Sequence, residues 1–258
     1  MNKSRSSFIL YYALPLTMMV TACSPVPVFA QAAPKREQAQ SAEASANKHV
    51  KDAVSTVKRM ESDSTMQRVM QDAKGVYIVP TYGRAALGVG AQGGAGVLLV
   101  KQGSEWGDPA FYNIGGINIG AQAGAEGGAV AFVLKNDKAV KRFTNKNNFS
   151  LSADAGITVV NWTKVAQGST GEGDVVAWSG TKGLFGNVAT IGVNDIRFNE
   201  RLTSAYYGKS TSAMEVIEGK VKNPASDELK QALAGTTSGA ATGKSGGGTE
   251  TTPEQKKK

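Results

Sequence analysis

Residues 117–126 read Ile117-Asn118-Ile119-Gly120-Ala121-Gln122-Ala123-Gly124-Ala125-Glu126, with apolar side chains at odd positions and glycine or polar ones at even positions. A period of two is that of a strand that packs one face. The stretch Leu87-Gly88-Val89-Gly90-Ala91-Gln92-Gly93-Gly94-Ala95-Gly96 repeats the pattern, and the shared Gly-Ala-Gln recurs thirty positions later, at Gly120 after Gly90. Two copies are too few for a solenoid, so they read as neighbouring strands. Around them, Ala73 to Gly208 holds 24 of the chain's 31 glycines, where average usage would give about ten. Glycine in a strand offers no side chain to pack, so it marks bends, bulges or close approach of another backbone. The expected class is α+β: a strongly curved antiparallel sheet or small barrel, glycine-rich, packed with N-terminal and C-terminal helices.

Strands are expected at Val76–Val79, Ala85–Ala91, Ala95–Val100, Phe111–Gln122, Ala129–Leu134, Ser150–Val160, Asp174–Gly180 and Val188–Phe198. Before them, Val50, Ala53, Val54, Val57 and Met60 recur at helical steps. A second helix capped by Ser62 or Asp63 would carry Met66, Val69, Met70 and Ala73. Such amphipathic stripes normally face a core; flanking Lys48, Lys51, Lys58 and Arg59 also suit a membrane-surface helix. Lys138–Phe143, Ser212–Lys220 and Ser226–Ala234 read as helices, with Ser226 as an N-cap. Asp195–Gly208 gives no clear pattern.

The first 22 residues carry Lys3 and Arg5 and then an apolar run, Phe8–Val20, too short for a transmembrane helix. They read as a bacterial export signal. Val20-Thr21-Ala22-Cys23 fits a lipobox, which makes Cys23 the lipidation site; it is the single cysteine, so no intrachain disulfide can form. Ser24 after it favours the outer membrane, facing the periplasm. The alternative is cleavage after Ala30, giving a soluble periplasmic or secreted protein. Residues 31–47 carry scarcely any large apolar side chain, so 23–47 read as a flexible tether, 48–234 as one domain, and 235–258 as a disordered tail.

Ala73-Lys74-Gly75-Val76-Tyr77-Ile78-Val79-Pro80, Gly93-Gly94-Ala95-Gly96-Val97, Gly120 to Glu126, Lys182-Gly183-Leu184-Phe185 and Tyr206-Tyr207-Gly208 follow one another as they do in the SYLF family of lipid-binding domains, which the chain resembles from about Val50 to Gly219. The resemblance, to the family's bacterial lipoprotein branch, implies a non-enzymatic module. Its eukaryotic relatives bind phosphoinositide membranes, and its yeast branch, which gives the alternative name actin-binding domain, binds and bundles actin. Many members carry an acid shortly after Gly-Ala-Glu, where this chain reads Gly127-Gly128-Ala129.

Net charge is +8. Lys135, Lys138, Lys141, Arg142 and Lys146 cluster after one apolar run; the first four, with Lys48, Lys51, Lys58 and Arg59, are the candidate lipid-binding residues. The same lysines would equally suit a merely solvated face. The partners expected are membrane phospholipid or another anionic envelope lipid and a possible protein; export argues against nucleic acid. No cofactor or metal is expected, because His49 is the single histidine. Gly88–Gly93 matches a dinucleotide-loop spacing inside a strand pattern, where the loop chemistry does not apply. Gly243-Lys244-Ser245 follows its preceding glycine one residue too closely for a phosphate loop. Glu126, Asp154, Asp174 and Asp195 would serve a hydrolase only if two of them converged. Trp106, Trp162, Trp178, Tyr82, Phe111, Tyr112, Tyr206 and Tyr207 read as core or interfacial aromatics.

Overall fold

The stripe Val50, Ala53, Val54, Val57 and Met60 forms the buried face of helix α1, Ala33–Glu61. The fold is given by a computed structural model, which describes residues 33–144, 148–152, 156–168, 173–181 and 193–238. Helix α1 begins earlier than expected. Much of the segment read as a tether is helical, and Ala42 and Ala46, one turn apart, are buried and extend the stripe. Alanine is the strongest helix former and lets a helix pack closely. A run without large apolar residues therefore looks like a linker but folds as a helix. Helix α2, Ser64–Gln71, is capped by Asp63, whose carboxylate accepts from the Thr65 and Met66 amides at 2.8 and 3.3 Å. Its Met66, Val69 and Met70, with Ala73 just beyond, are buried.

Three expected strands are one, β1, Gly75–Gln102; two more are one, β3, Ala110–Leu134, and the two-residue β2, Glu105–Trp106, lies in their connection. β1 and β3 pair antiparallel from Gly75↔Leu134 to Leu98↔Ala110, which puts the two Gly-Ala-Gln copies on paired strands. This ribbon doubles back on itself. The Lys101 amide donates to the Lys74 carbonyl at 2.9 Å. A Cβ added to Gly94 would stand 2.6 Å from the Thr81 carbonyl oxygen, and one on Gly96 would be closer still to that of Ile78. Residues 75–82 and 94–101 thus run side by side in opposite directions, with the backbones too close at Gly94 and Gly96 for a side chain there.

The remaining strands complete the sheet: β4 (Phe149–Leu151), β5 (Val159–Asn161), β6 (Val175–Ser179) and β7 (Val193–Phe198). β6 joins β3 beside Val130–Leu134, β7 joins it beside Tyr112–Gly115, and β4 pairs with β7. β5 pairs with β6 in parallel, the one departure from the expected antiparallel sheet. With both long strands doubled, the sheet runs β5, β6, second half of β3, first half of β1, second half of β1, first half of β3, β7, β4. These eight rungs form a nearly closed, barrel-like sheet. The single strand expected over Ser150–Val160 is broken into β4 and β5, with Gly156 in a left-handed turn at φ +70° between them.

Both faces of the sheet are covered. Tyr77, Val79, Leu98, Tyr112, Phe132, Leu134, Val175 and Ile196 fill the inside, where the Tyr112 hydroxyl donates to the Phe143 carbonyl. Helix α3, Asp137–Arg142, is capped by Asn136 and adds Ala139 and Val140 to this core, as does α6, Ala213–Ile217, with Ala213 and Val216. Outside, Val76, Ile78, Val97, Leu99, Phe111, Ala131, Val133 and Trp178 lie in one core with α1, α2, α5 (Glu200–Tyr207) and α7 (Asp227–Ser238). Strands buried on both sides lose polar alternation, which is why these segments read as nearly continuous apolar runs. Helix α4, Trp162–Ala166, sets Trp162 against the outer core. The aromatic residues are therefore core, as their residue types suggested: Trp106, Trp178, Tyr82, Phe111, Tyr112 and Tyr206 are buried, and Trp162 and Tyr207 partly so.

The strand expected over Val188–Phe198 is β7 in its described part, Val193–Phe198, and the segment after it, which gave no clear pattern, supplies α5. Asn199 caps the helix, and Gly208, at φ +67°, ends it. Near the C-terminus, Ser226 does not cap a helix as expected; it ends a 3-10 turn begun by Pro224 and gives its hydroxyl to Asp108 at 2.7 Å. Asp108 is 7 % exposed and also accepts from the Asn223 amide at 3.0 Å and the Lys230 ammonium at 3.4 Å. This buried carboxylate ties the β2–β3 connection to α7. The first residues of the expected tail are helical instead: α7 runs to Ser238, and buried Thr236 donates to Glu61 at 2.8 Å. Residues 239–258, with Gly243-Lys244-Ser245, lie outside the described residues.

Candidate functional site

The eight cations singled out in the sequence fall into two groups that the fold keeps apart. On α1, Lys48, Lys51, Lys58 and Arg59 are exposed and project opposite the buried stripe. Lys48 is paired with Asp52 at 2.5 Å and Lys58 with Glu228 at 3.6 Å. Arg59 reaches the far end of β6, where a Cβ on Gly180 would meet its guanidinium at 3.1 Å. Because the apolar side of α1 is already buried against the sheet and α5, it is not available for insertion into a bilayer. What α1 offers is a cationic ridge.

The second group lies at the other end of β6. Lys138 bonds Asp174, which precedes that strand, at 3.2 Å. Asp174 and Gly180 stand six residues apart along an extended chain, a separation of about 20 Å. Asp174 is an organising carboxylate: it accepts from the Thr158 amide at 2.8 Å and from Asn136 at 2.7 Å, and its carbonyl accepts from the Lys135 amide at 2.9 Å. These bonds to the ionised form, the Thr158 amide first, hold its pKa below the usual carboxylate value.

This end of the sheet, where β1 begins and β3 ends, gathers more positive charge than one stretch of sequence showed. The Lys74 amide donates to Leu134 at 2.8 Å, which seats Lys74 beside Lys135, and its carbonyl accepts from Lys101. Lys101 crosses the rim to donate to the Gln71 carbonyl at 3.2 Å and sits 5.2 Å over the Trp106 ring. Lys135 contacts Asp72 at 3.2 Å. Burial first, and the nearby Lys74 charge second, lower the Lys101 pKa. Lys74, Lys101, Lys135, Lys138, Lys141 and Arg142 thus share one rim with Asp72, Asp137 and Asp174. Lys74 and Lys101 escaped the sequence reading because they stand 27 and 34 positions from their neighbours. Their only local signal is a lysine at each end of an apolar strand.

The carboxylates do not converge among the described residues. Asp174 belongs to this rim, whereas Asp195 sits opposite Gly115 on β3 and is held by both nitrogens of Arg197 at 2.7 Å. The Glu126 side chain and Asp154 lie outside the described residues, as do Cys23, Lys146 and Lys182-Gly183-Leu184-Phe185. Gly88–Gly93 is strand paired with β3, with no helix opening there. No group of three or more potential metal ligands occurs among the described residues. Nor is any described helix long and apolar enough to cross a membrane. The arrangement is suited to electrostatic attraction over a surface.

Comparison with known proteins gives the fold a context. Residues 115–236 match the family described as Ysc84, Las17-binding protein actin regulator. The chain is 26% identical to Protein YSC84 of Saccharomyces cerevisiae over 172 residues, 64% of this chain and 36% of that protein. It is 25% identical to LAS seventeen-binding protein 3 of the same yeast, over 60% of this chain and 35% of the relative. It is 27% identical to SH3 domain-containing YSC84-like protein 1 of Xenopus laevis, over 60% of this chain and 48% of that one. The chain thus spans between about a third and a half of the length of these relatives. No solved structure matches it.

Proposed function

The chain belongs to the SYLF family, a family of protein-interaction or lipid-binding domains, and on that footing we propose that it is a non-enzymatic binding domain that holds an anionic membrane surface against the cationic rim around β1, β3 and α3. The observation that carries the reading is the convergence of six cations from separate chain segments on one end of the sheet, against three carboxylates. A basic residue beside an anionic bilayer contributes on the order of 1 kcal/mol, so such a rim is enough for reversible attachment. The bacterial lipoprotein assignment belongs to this proposal as well: Cys23 carries the lipid, and the domain works at the outer membrane facing the periplasm. A diacylglycerol anchor already retains the protein on its own bilayer, so the rim would orient the domain or bridge to a second anionic surface. The envelope phospholipid or another anionic envelope lipid is then the ligand.

A second reading is favoured by the names of the relatives, which describe binding to Las17 and regulation of actin. In it the same domain binds a protein partner. Actin itself enters only by family analogy, because an envelope location separates the domain from a cytosolic filament.

Co-sedimentation of the full chain carrying Cys23→Ser with phosphatidylcholine and phosphatidylglycerol vesicles, over a salt series, tests the proposal. Binding is expected only to the anionic vesicles and should weaken with salt. Replacing Lys138, Lys141 and Arg142 by Gln should lower the affinity roughly ten- to hundredfold and flatten the salt dependence. Equal sedimentation with neutral and anionic vesicles, or none with either, would leave the protein partner as the reading.

A further inference from the structure

Three of the rim's lysines are placed differently from the rest. Lys74, Lys101 and Lys135 are brought onto neighbouring rungs by backbone hydrogen bonds, Lys74 to Leu134 at 2.8 Å and Lys101 to Lys74 at 2.9 Å. Rungs of a sheet lie about 4.8 Å apart, so the three side chains start from positions within about 10 Å of one another. Two of their ammonium groups have fixed contacts: Lys101 with the Gln71 carbonyl and the Trp106 ring, Lys135 with Asp72. Lys74 is exposed. Three cations face one carboxylate here, and the imbalance is visible in Lys101, which gives up its proton more readily than a free lysine because of burial and of Lys74.

The acid paired with Lys135 is in an unfavourable place. Asp72 is the C-cap of α2, where the helix dipole is negative and a carboxylate is repelled. Its side chain is 79 % exposed, whereas that of its partner Lys135 is 25 % exposed. Such a carboxylate, paired with Lys135, swings into water at little cost, since an exposed ion pair is weak. A phosphate-sized group carries more charge and more acceptor oxygens than the carboxylate it would displace.

We infer that Lys74, Lys101 and Lys135 form a phosphate-binding site at the rim that the Asp72 carboxylate occupies when no ligand is present. The inference rests on the proposed rim function and sharpens it: the rim would then select a phosphomonoester or diphosphate group rather than negative charge in general, and Asp72 would set the threshold. A lipid headgroup and a soluble phosphate share this chemistry, and the two sources call for separate arms.

The probes are inorganic pyrophosphate, followed by calorimetry and by NMR of the lysine ammonium groups, and vesicles containing phosphatidate or, at equal charge, phosphatidylglycerol. The full chain with Cys23→Ser is the reference. Asp72→Asn should raise pyrophosphate affinity about two- to fivefold, the full range an exposed ion pair allows. Lys74→Gln, at an exposed position, should lower it and cancel most of that gain. If phosphatidate vesicles follow the same order and phosphatidylglycerol vesicles do not, the source is a lipid phosphomonoester; if only pyrophosphate does, it is a soluble phosphate. Asp72→Asn without effect on either probe would overturn the inference even if anionic vesicles still bind. Failure of every variant to bind anionic vesicles, with pyrophosphate behaving as expected, would instead remove the membrane reading and keep the phosphate site.

Discussion

The doubled-back ribbon makes opposite demands on two glycines of the same strand. At Gly96 an added Cβ would meet the Ile78 carbonyl closely and Val79 Cγ2 at 2.9 Å, whereas at Gly83 it would find nothing within 4 Å. The obstacle at Gly96 is backbone, so it cannot rotate aside. Overpacking of this kind costs about 1–3 kcal/mol, and a backbone obstacle places Gly96→Ala at or above the upper end. Gly83→Ala lowers the entropy of the unfolded chain without a clash and should stabilise by about 0.4–1 kcal/mol. For a domain near 200 residues each kcal/mol moves Tm by about 2–4 °C. Gly96→Ala should therefore lower Tm by about 6 °C or more, and Gly83→Ala should raise it by about 1–4 °C. Differential scanning calorimetry of the two variants beside the parent decides the matter. Equal Tm values for the two would mean that residues 75–82 and 94–101 do not run side by side, and the order of rungs given above would fall with them.

Asp108→Ala should cost about 2–4 kcal/mol in urea unfolding, because it strands the Asn223 amide in a buried site, leaves the Ser226 hydroxyl only the Asn223 carbonyl and leaves Lys230 with Asp227 alone; a loss below about 0.5 kcal/mol would show that the link to α7 contributes little. His49 is half-buried on α1, its pKa lowered first by burial and then by Lys48, with Asp52 opposing. The unfolded chain therefore takes up the proton first as pH falls, and this residue's contribution to stability is present above pH 6.5, its ordinary value, and is lost below it. His49→Gln should flatten that slope in chemical denaturation between about pH 7 and 5, and an unchanged slope would assign it to the carboxylates.

Period-two alternation around Gly120 and period-3.6 spacing around Val50 were legible because each is a pattern of neighbouring residues, and the structure makes the first a strand and the second the buried face of a helix. Helix α2 was found for the same reason, with Asp63 among its expected caps; α3 and α6 were found without the side chains that cap them, Asn136 and Ser212. The start of α1 was misread because alanine satisfies a helix without leaving a large apolar signal; burial of Ala42 and Ala46 depends on what packs against them. The end of α7 was misread because Gly235 and Thr236 are turn-like residues that a bond to Glu61, 175 positions away, holds in place.

The sequence by itself determined that this chain makes a glycine-rich curved sheet flanked by amphipathic helices, and it marked one basic stretch, because strand period, helix period and clustered lysines are properties of neighbouring residues. Only the tertiary structure decided that β1 and β3 double back, that Arg59 of α1 and Lys138 of α3 stand at opposite ends of β6, about 20 Å apart, and that Lys74 and Lys101 join Lys135 beside Asp72. Those relations are set by backbone hydrogen bonds between distant rungs. Their energy resides in the pairing of whole strands, so no short stretch of sequence carries their signature.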